Sequence, residues 1–217
     1  MIGIPMVAAF AVALMAAAPA QDLAPLAVDA KAGTVSFGAK AAKQDVYEQL
    51  KGTVEYLIVM PGGKEYESLF IAPLDPLKLH AGMIQAGLKP GKASEEGDDG
   101  KRRPPEGAKL KITVEWGEGD QKRREPAEAF VRDVVAKKNL EAPGWTFSGS
   151  REGFDPVTEK TVLQVVSTKN LVALFHNDAT VLVQPTLVAK DPHQFKANKE
   201  LLPKAGTPVR VIIEAAR

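Results

Sequence analysis

The stretch VEYLIVMPGGKEYESLFIA, residues 54–72, holds two apolar runs separated by a short polar segment. Residues 54–60 and 67–72 are rich in β-branched and aromatic side chains, and Pro-Gly-Gly follows the first run. Two such runs that bracket glycines predict a β-hairpin. The Lys-Glu-Tyr-Glu-Ser segment exceeds what a turn needs, so it indicates an active-site edge, a ligand-binding rim or a solvated hairpin end.

Glu67 is the most informative residue of this polar segment. In an extended strand it shares a face with Leu69 and Ile71, so it begins a face that becomes apolar beyond it. A carboxylate at the edge of a core needs a partner, because an unpaired buried charge is costly. A polar rim of candidate ligand-binding residues is predicted around it: Lys64, Tyr66 and Ser68.

A helix is predicted over residues 75–91, directly after this hairpin. Asp75 can cap it, Pro76 suits the first helical position, and Gly87 suits the left-handed terminating position. The expected buried stripe consists of Leu77, Ala81, Ile84 and Leu88.

His80 falls on the same stripe of this helix, so it is expected to be partly buried. If the helix packs over the hairpin, His80 comes near Glu67, and the two form a candidate catalytic acid–base couple or two ligands of a metal site. The alternative is a core histidine whose ring hydrogen-bonds to a backbone carbonyl.

The remaining elements favour a mainly antiparallel α+β sheet with two helices packed on it, in a single domain over residues 31–217. Residues 126–139 predict the second helix, and residues 92–108, almost wholly charged, Gly or Pro, predict a flexible loop. A second hairpin is predicted across Ser-Thr-Lys at 167–169. Further strands are predicted at 32–41, 109–117, 144–150 and 207–213.

The amino-terminal segment, residues 1–20, is apolar and uncharged and ends in Ala-Pro-Ala. This pattern predicts a cleaved signal peptide, followed by a polar junction at 21–30, and hence export to the periplasm or medium. An uncleaved membrane anchor and a mis-assigned start are the alternatives. No later segment is apolar enough to predict a membrane span.

Composition excludes several classes of function. With 28 Lys and Arg against 27 Asp and Glu, the net charge is +1, which gives no electrostatic basis for nucleic-acid binding. The chain has no cysteine, so disulfides, thiol catalysis, lipid modification of cysteine and iron–sulfur clusters are excluded. Three histidines without metal-type spacing predict neither a metal nor any other cofactor.

Short motifs follow one another along most of the chain: Gly63-Lys64-Glu65-Tyr66-Glu67-Ser68, Leu79-His80-Ala81, Gly87-Leu88-Lys89-Pro90-Gly91, Lys111-Ile112-Thr113-Val114-Glu115-Trp116, Phe130-Val131-Arg132-Asp133, Trp145-Thr146-Phe147-Ser148-Gly149-Ser150, and Ala197-Asn198 with Gly206-Thr207-Pro208-Val209. In this order they resemble the YdjY-domain family of exported bacterial proteins, over about residues 30–213. The resemblance implies no established activity. Some relatives carry ferredoxin-like labels, but cluster binding does not transfer to a chain without cysteine.

The expected function is therefore a non-catalytic module that binds an envelope protein or a small ligand. The alternative is an exported hydrolase or acid–base enzyme that uses Glu67 and His80, assisted by Tyr66 or Lys64. A close Glu67–His80 pair in a cleft would favour the enzyme, whereas an exposed aromatic patch would favour partner binding.

Overall fold

A computed structural model describes residues 23–142, 144–155, 158–176, 181–185 and 194–216. The expected signal peptide at 1–20 lies outside these residues, as do the first two residues of the junction. No helix in the described residues is both long and apolar enough to cross a membrane.

The structure is built mostly of short strands. The β-strands are β1 Ala27–Asp29, β2 Thr34–Ala41, β3 Tyr56–Val59, β4 Ser68–Ile71, β5 Glu95–Glu96, β6 Arg102–Arg103, β7 Lys109–Trp116, β8 Arg123–Pro126, β9 Val131–Asp133, β10 Lys138–Asn139, β11 Trp145–Phe147, β12 Glu152–Asp155, β13 Lys160–Leu163, β14 Asn170–Ala173, β15 Val183–Pro185, β16 Phe195–Ala197 and β17 Pro208–Ala215. The α-helices are α1 Pro76–Gln85 and α2 Gln164–Thr168. Single 3₁₀ turns cover Glu48–Leu50, Glu65–Glu67, Gly119–Gln121 and Ala127–Phe130.

Eight of these strands close into a barrel in the order β2-β17-β7-β11-β15-β14-β3-β4. Closure comes from β4, which pairs antiparallel with β2 through Phe70–Ala41 and Ile71–Lys40. Strands β1 and β8 extend the sheet beside β2 and β7, and β10, β9 and β16 form a separate three-stranded sheet. A closed barrel leaves no unpaired edge among its own strands.

The barrel interior is filled by rows of apolar side chains that continue from strand to strand. Phe37 on β2, Val211 on β17 and Val114 on β7 lie side by side in register, and all three are buried. On β7 the apolar side chains expected inside are buried up to Val114, but the face expected to be solvated is not, because Thr113 and Glu115 are buried as well. The strands expected at 32–41, 109–117, 144–150 and 207–213 are all present.

The predicted α+β class is wrong, because the structure is a mostly β closed barrel with only two small helices. Residues 126–139 do not form a helix; they form a 3₁₀ turn followed by β9 and β10. The predicted hairpin across 167–169 is also absent. Residues 164–168 form α2 instead, and β13 pairs with β12 while β14 belongs to the barrel.

The hairpin predicted within 54–72 is wrong as well, because β3 and β4 run parallel. Residues 60–67 therefore cross back along the barrel rather than making a tight turn. The glycines serve this crossing: a Cβ on Gly63 would come within 2.8 Å of the Lys169 carbonyl oxygen and 2.9 Å of Asn170 Oδ1. Such close backbone approach is open only to glycine.

Helix α1 begins as the sequence predicts. Asp75 Oδ1 accepts a hydrogen bond from the Leu77 N–H at 2.8 Å, Pro76 is the first helical residue, and Gly87 has a left-handed φ of 82°. The predicted stripe is wrong, because Leu77, Ala81 and Ile84 are exposed, and of the four only Leu88 is buried. The buried helical residues are instead Pro76, Leu79, Gly82 and Met83.

The charged segment 92–108 contains a short antiparallel ribbon formed by β5 and β6. Its acidic and basic blocks face each other, with Glu96–Arg102 at 4.0 Å and Glu95–Arg103 at 3.9 Å. Most of its residues are exposed, as their composition predicts.

Candidate functional site

Lys64 lies between two carboxylates that belong to different segments of the chain. Its Nζ is 2.7 Å from Glu55 Oε2 and 3.2 Å from Glu67 Oε2, and it lies 5.6 Å from the centre of the Tyr56 ring. Glu67 is buried, whereas the Lys64 side chain is 41% exposed. We refer to Glu55, Tyr56, Lys64 and Glu67 as the Lys64 cluster. The carboxylate of Glu67 thus has the charged partner that its position demands.

The backbone around Lys64 is held by one hydrogen bond within its own segment and by bonds to two other parts of the fold. The Lys64 N–H donates to Asn170 Oδ1 at 3.2 Å, which fastens the segment to the start of β14. The Gly62 N–H donates to Glu65 Oε1 at 2.8 Å, and the Glu55 N–H donates to the Glu67 carbonyl at 2.8 Å. The crossing segment therefore places the Lys64 ammonium over the start of β3.

Burial and charge set the protonation of this cluster. Burial raises the pKa of Tyr56 to about 12, although the positive charge of Lys64 opposes the rise. Burial alone would lower the pKa of Lys64, but the hydrogen bond to Glu55 and the nearby Tyr56 outweigh it and raise that pKa above its usual value. Both groups hold their protons at neutral pH, so neither acts there as a proton acceptor.

Tyr66 projects outward from the same segment and contacts Tyr47. The two ring centroids lie 5.3 Å apart with planes at 74°, an edge-to-face contact, and the residues are 38% and 46% exposed. Val46 beside them is also exposed. We refer to Val46, Tyr47 and Tyr66 as the tyrosine surface. The exposed Glu48 and the partly exposed Glu65 adjoin it in sequence.

Ser68, predicted as part of a polar rim, is buried at the start of β4. Its hydroxyl donates to the Glu65 carbonyl at 2.9 Å, and its own carbonyl accepts from Gln44 Nε2 at 3.0 Å. These bonds join the crossing segment to the chain beyond β2, and they turn the hydroxyl into the fold.

His80 and Glu67 are not brought together. Glu67 immediately precedes β4, whereas α1 follows the opposite end of that four-residue strand, which spans about 13 Å. His80 is half-buried at that opposite end, where its ring centroid lies 5.4 Å from that of Phe147, and burial lowers its pKa. A catalytic couple of these two residues has no geometric support, and a separate role for either one stays a prediction.

His176, the other histidine in the described residues, belongs neither to the Lys64 cluster nor to the tyrosine surface. His176 is buried, its Nε2 lies 3.2 Å from the Pro185 carbonyl oxygen, and burial lowers its pKa. His193 lies outside the described residues. In the part of the chain that the structure describes, no three His, Asp or Glu side chains are grouped as a metal would require.

Sequence reasoning missed Glu55, Tyr56 and Tyr47. A signal for Glu55 existed, because it is the one charged residue within the apolar run 54–60. Its pairing with Lys64 depends on the parallel arrangement of β3 and β4, which places residue 55 beside residue 67. Nothing in the sequence around Tyr47 indicates a role for it. Its contact with Tyr66 arises only because the crossing segment brings the two residues together.

Comparison with known proteins gives a family and nothing closer. The model of the YdjY domain matches residues 26–214, nearly the whole described chain. No curated protein and no solved structure matches significantly. The matched range includes every residue of the Lys64 cluster and of the tyrosine surface. Because the family model covers most of the chain, the chain belongs to the YdjY-domain family.

Proposed function

We propose that this protein is an exported, non-catalytic module of the cell envelope that binds a protein partner through the tyrosine surface. The supporting observation is the exposed edge-to-face pair of Tyr47 and Tyr66, of which Tyr66 lies on the same segment as Lys64 and Glu67. Tyrosine side chains offer large contact area at low cost in conformational entropy, and they are enriched where binding energy concentrates in interfaces.

The partner segment that fits this surface is basic with apolar side chains. Glu48 is exposed and Glu65 is partly exposed, and each adjoins one of the two tyrosines in sequence, so a cationic segment meets opposite charge there. Lysine or arginine side chains also interact favourably with exposed aromatic rings. Export rests on the uncharged apolar composition of residues 1–20, which suits a signal peptide.

The test is binding of a library of short peptides of varied charge to the purified protein. Peptides that combine lysine or arginine with apolar residues should bind best, and Tyr47→Ala/Tyr66→Ala should weaken them at least about tenfold, which corresponds to about 1.4 kcal/mol. Phe154→Ala is the control, because Phe154 is an exposed aromatic residue on β12, outside the tyrosine surface. Equal binding by the double variant, or equal binding of acidic peptides, would contradict the proposal.

A further inference from the structure

A concave surface lies outside the Lys64 cluster, between the three-stranded sheet β10-β9-β16 and residues 45–52. It is a cleft of about 530 Å³, within the range of small-molecule sites. Four cationic residues line it: Lys51, Arg132, Lys196 and Lys199. We refer to this cavity as the basic cleft.

The strand register places two of these cations directly opposite each other. In the sheet, Arg132 on β9 pairs with Lys196 on β16 on one side and with Asn139 on β10 on the other, so the three side chains form one row. Directly opposed residues have their Cβ atoms about 5 Å apart, and like charges at such positions destabilise a sheet. A group of opposite charge bound beside the two cations would offset this repulsion.

The nearby carboxylates do not offset it. Asp45 forms an ion pair with Lys199, which also lines the cleft. Asp133, next to Arg132, accepts hydrogen bonds from the Val135 and Ala136 N–H groups at 2.9 and 2.8 Å and from Gln194 Nε2 at 3.1 Å. Asp133 is therefore satisfied within the loop after β9 and by Gln194.

The charge balance of the cleft is therefore positive. Among the described residues, no carboxylate lies within ion-pair distance of Lys51, Arg132 or Lys196. Among the described residues that line the cleft, Asp45 and Lys199 cancel, and the other three cations against Glu200 leave an excess of two positive charges, three minus one. A dianion is the ligand that neutralises this excess.

We infer that the basic cleft binds a phosphate dianion, either free phosphate or the phosphomonoester of a small organic molecule. The planar guanidinium of Arg132 suits two phosphate oxygens at once, and Lys51 and Lys196 act as point charges. The cleft is larger than the ion itself, so it has room for an organic group. Asn198 Nδ2 donates to the Ala129 carbonyl at 2.9 Å, which leaves its Oδ1 to accept from a ligand hydroxyl.

The first test is thermal unfolding of the purified protein with increasing inorganic phosphate, at ionic strength kept constant with sodium chloride. Phosphate should raise the melting temperature beyond the effect of chloride, because a ligand that binds only the folded state stabilises it. Arg132→Gln and Lys196→Gln should each weaken phosphate binding at least about tenfold. Without phosphate, Lys196→Gln should be as stable as the wild type or more stable, since it removes the opposed charge.

The matched control is Lys160→Gln, which removes an exposed lysine on β13, outside the cleft. It should keep the full response to phosphate. The inference is overturned if phosphate has no effect beyond ionic strength, or if Arg132→Gln and Lys196→Gln respond as the wild type does. Because Lys196→Gln is expected to remain stable, a lost response in that variant cannot be ascribed to unfolding.

Competing ligands distinguish the two sources of the phosphate group. Glycerol phosphate that binds more tightly than inorganic phosphate identifies a phosphomonoester site, whereas equal affinity identifies a site for free phosphate. Succinate, a dicarboxylate, that binds more tightly than either would overturn the assignment to phosphate. The tyrosine double variant should keep the phosphate response, so failure of the partner proposal and failure of this inference are separate results.

Discussion

Lys64 forms ion pairs with two carboxylates, so its removal leaves Glu55 and Glu67 without this cation. We expect Lys64→Met to lower the free energy of unfolding by about 1–2 kcal/mol, measured by urea denaturation. Breaking a fully buried pair costs about 3–5 kcal/mol, but the Lys64 side chain is 41% exposed, and solvent screens part of the loss.

The matched control for this change is Lys101→Met, which breaks an exposed pair with Asp99 at 3.9 Å. Its effect should be close to zero. Adding Glu67→Gln to Lys64→Met should restore part of the lost stability, because it removes the orphaned charge. An unchanged stability of Lys64→Met would mean that water replaces the ammonium without cost.

Tyr56 gives a second prediction at the scale of single residues. Its pKa is raised by burial to about 12, so ultraviolet titration of the folded protein should contain a tyrosinate component near that pH. A raised folded-state pKa means that the protonated phenol stabilises the fold below pH 10, and this stabilisation is lost as pH rises from about 10 to 12. Tyr56→Phe should remove the component, whereas Tyr47→Phe should keep it; a component that persists without Tyr56 contradicts the assignment.

Helix α1 carries apolar side chains on two faces, and only packing decides which face is buried. We expect Leu79→Ala to cost about 2–5 kcal/mol in thermal or urea unfolding, because Leu79 is fully buried. Leu77→Ala should change stability by less than about 0.5 kcal/mol, because Leu77 is 48% exposed. A larger loss of stability for Leu77→Ala than for Leu79→Ala would instead support the buried stripe predicted from the sequence.

Two wrongly predicted elements, the helix at 126–139 and the hairpin within 54–72, have a similar cause. In each, the local sequence fits more than one structure, and long-range packing decides between them. Residues 126–139 have apolar spacing that fits a helix, yet β9 forms there because it pairs with β16, which is distant in the sequence. Residues 54–72 have the composition of a hairpin, yet β14 occupies the far side of β3 and fixes the path of the crossing segment. Local propensity is a weak prior that long-range pairing overrides.

At the scale of the whole molecule, barrel closure predicts one cooperative unfolding transition. Tryptophan fluorescence and far-ultraviolet circular dichroism should give superimposable curves, since Trp145 is buried within the barrel sheet and Trp116 packs against its core. Phe70→Ala, at the closing pair of β4 with β2, should shift both curves together by about 3–5 kcal/mol. Two separate transitions would show that closure does not couple the two halves of the sheet.

The sequence alone was enough for the features that depend on neighbouring residues. The cap and end of α1 follow from Asp75, Pro76 and Gly87, and the strand at 109–117 follows from its alternation, because both are set by local backbone chemistry. The exclusion of thiol chemistry follows from composition. The need of Glu67 for a charged partner could also be predicted, since a carboxylate that begins an apolar face requires one.

The identity of that partner, the closed barrel and the position of His80 required the tertiary structure. Each depends on which strands pair, and strand pairing joins residues that are far apart in the chain and carry no local signal of one another. Parallel pairing of β3 and β4 brings Glu55 and Lys64 to Glu67, while the same strand β4 separates Glu67 from His80. The row of Arg132 and Lys196 is likewise a product of register, visible only once β9 and β16 lie side by side.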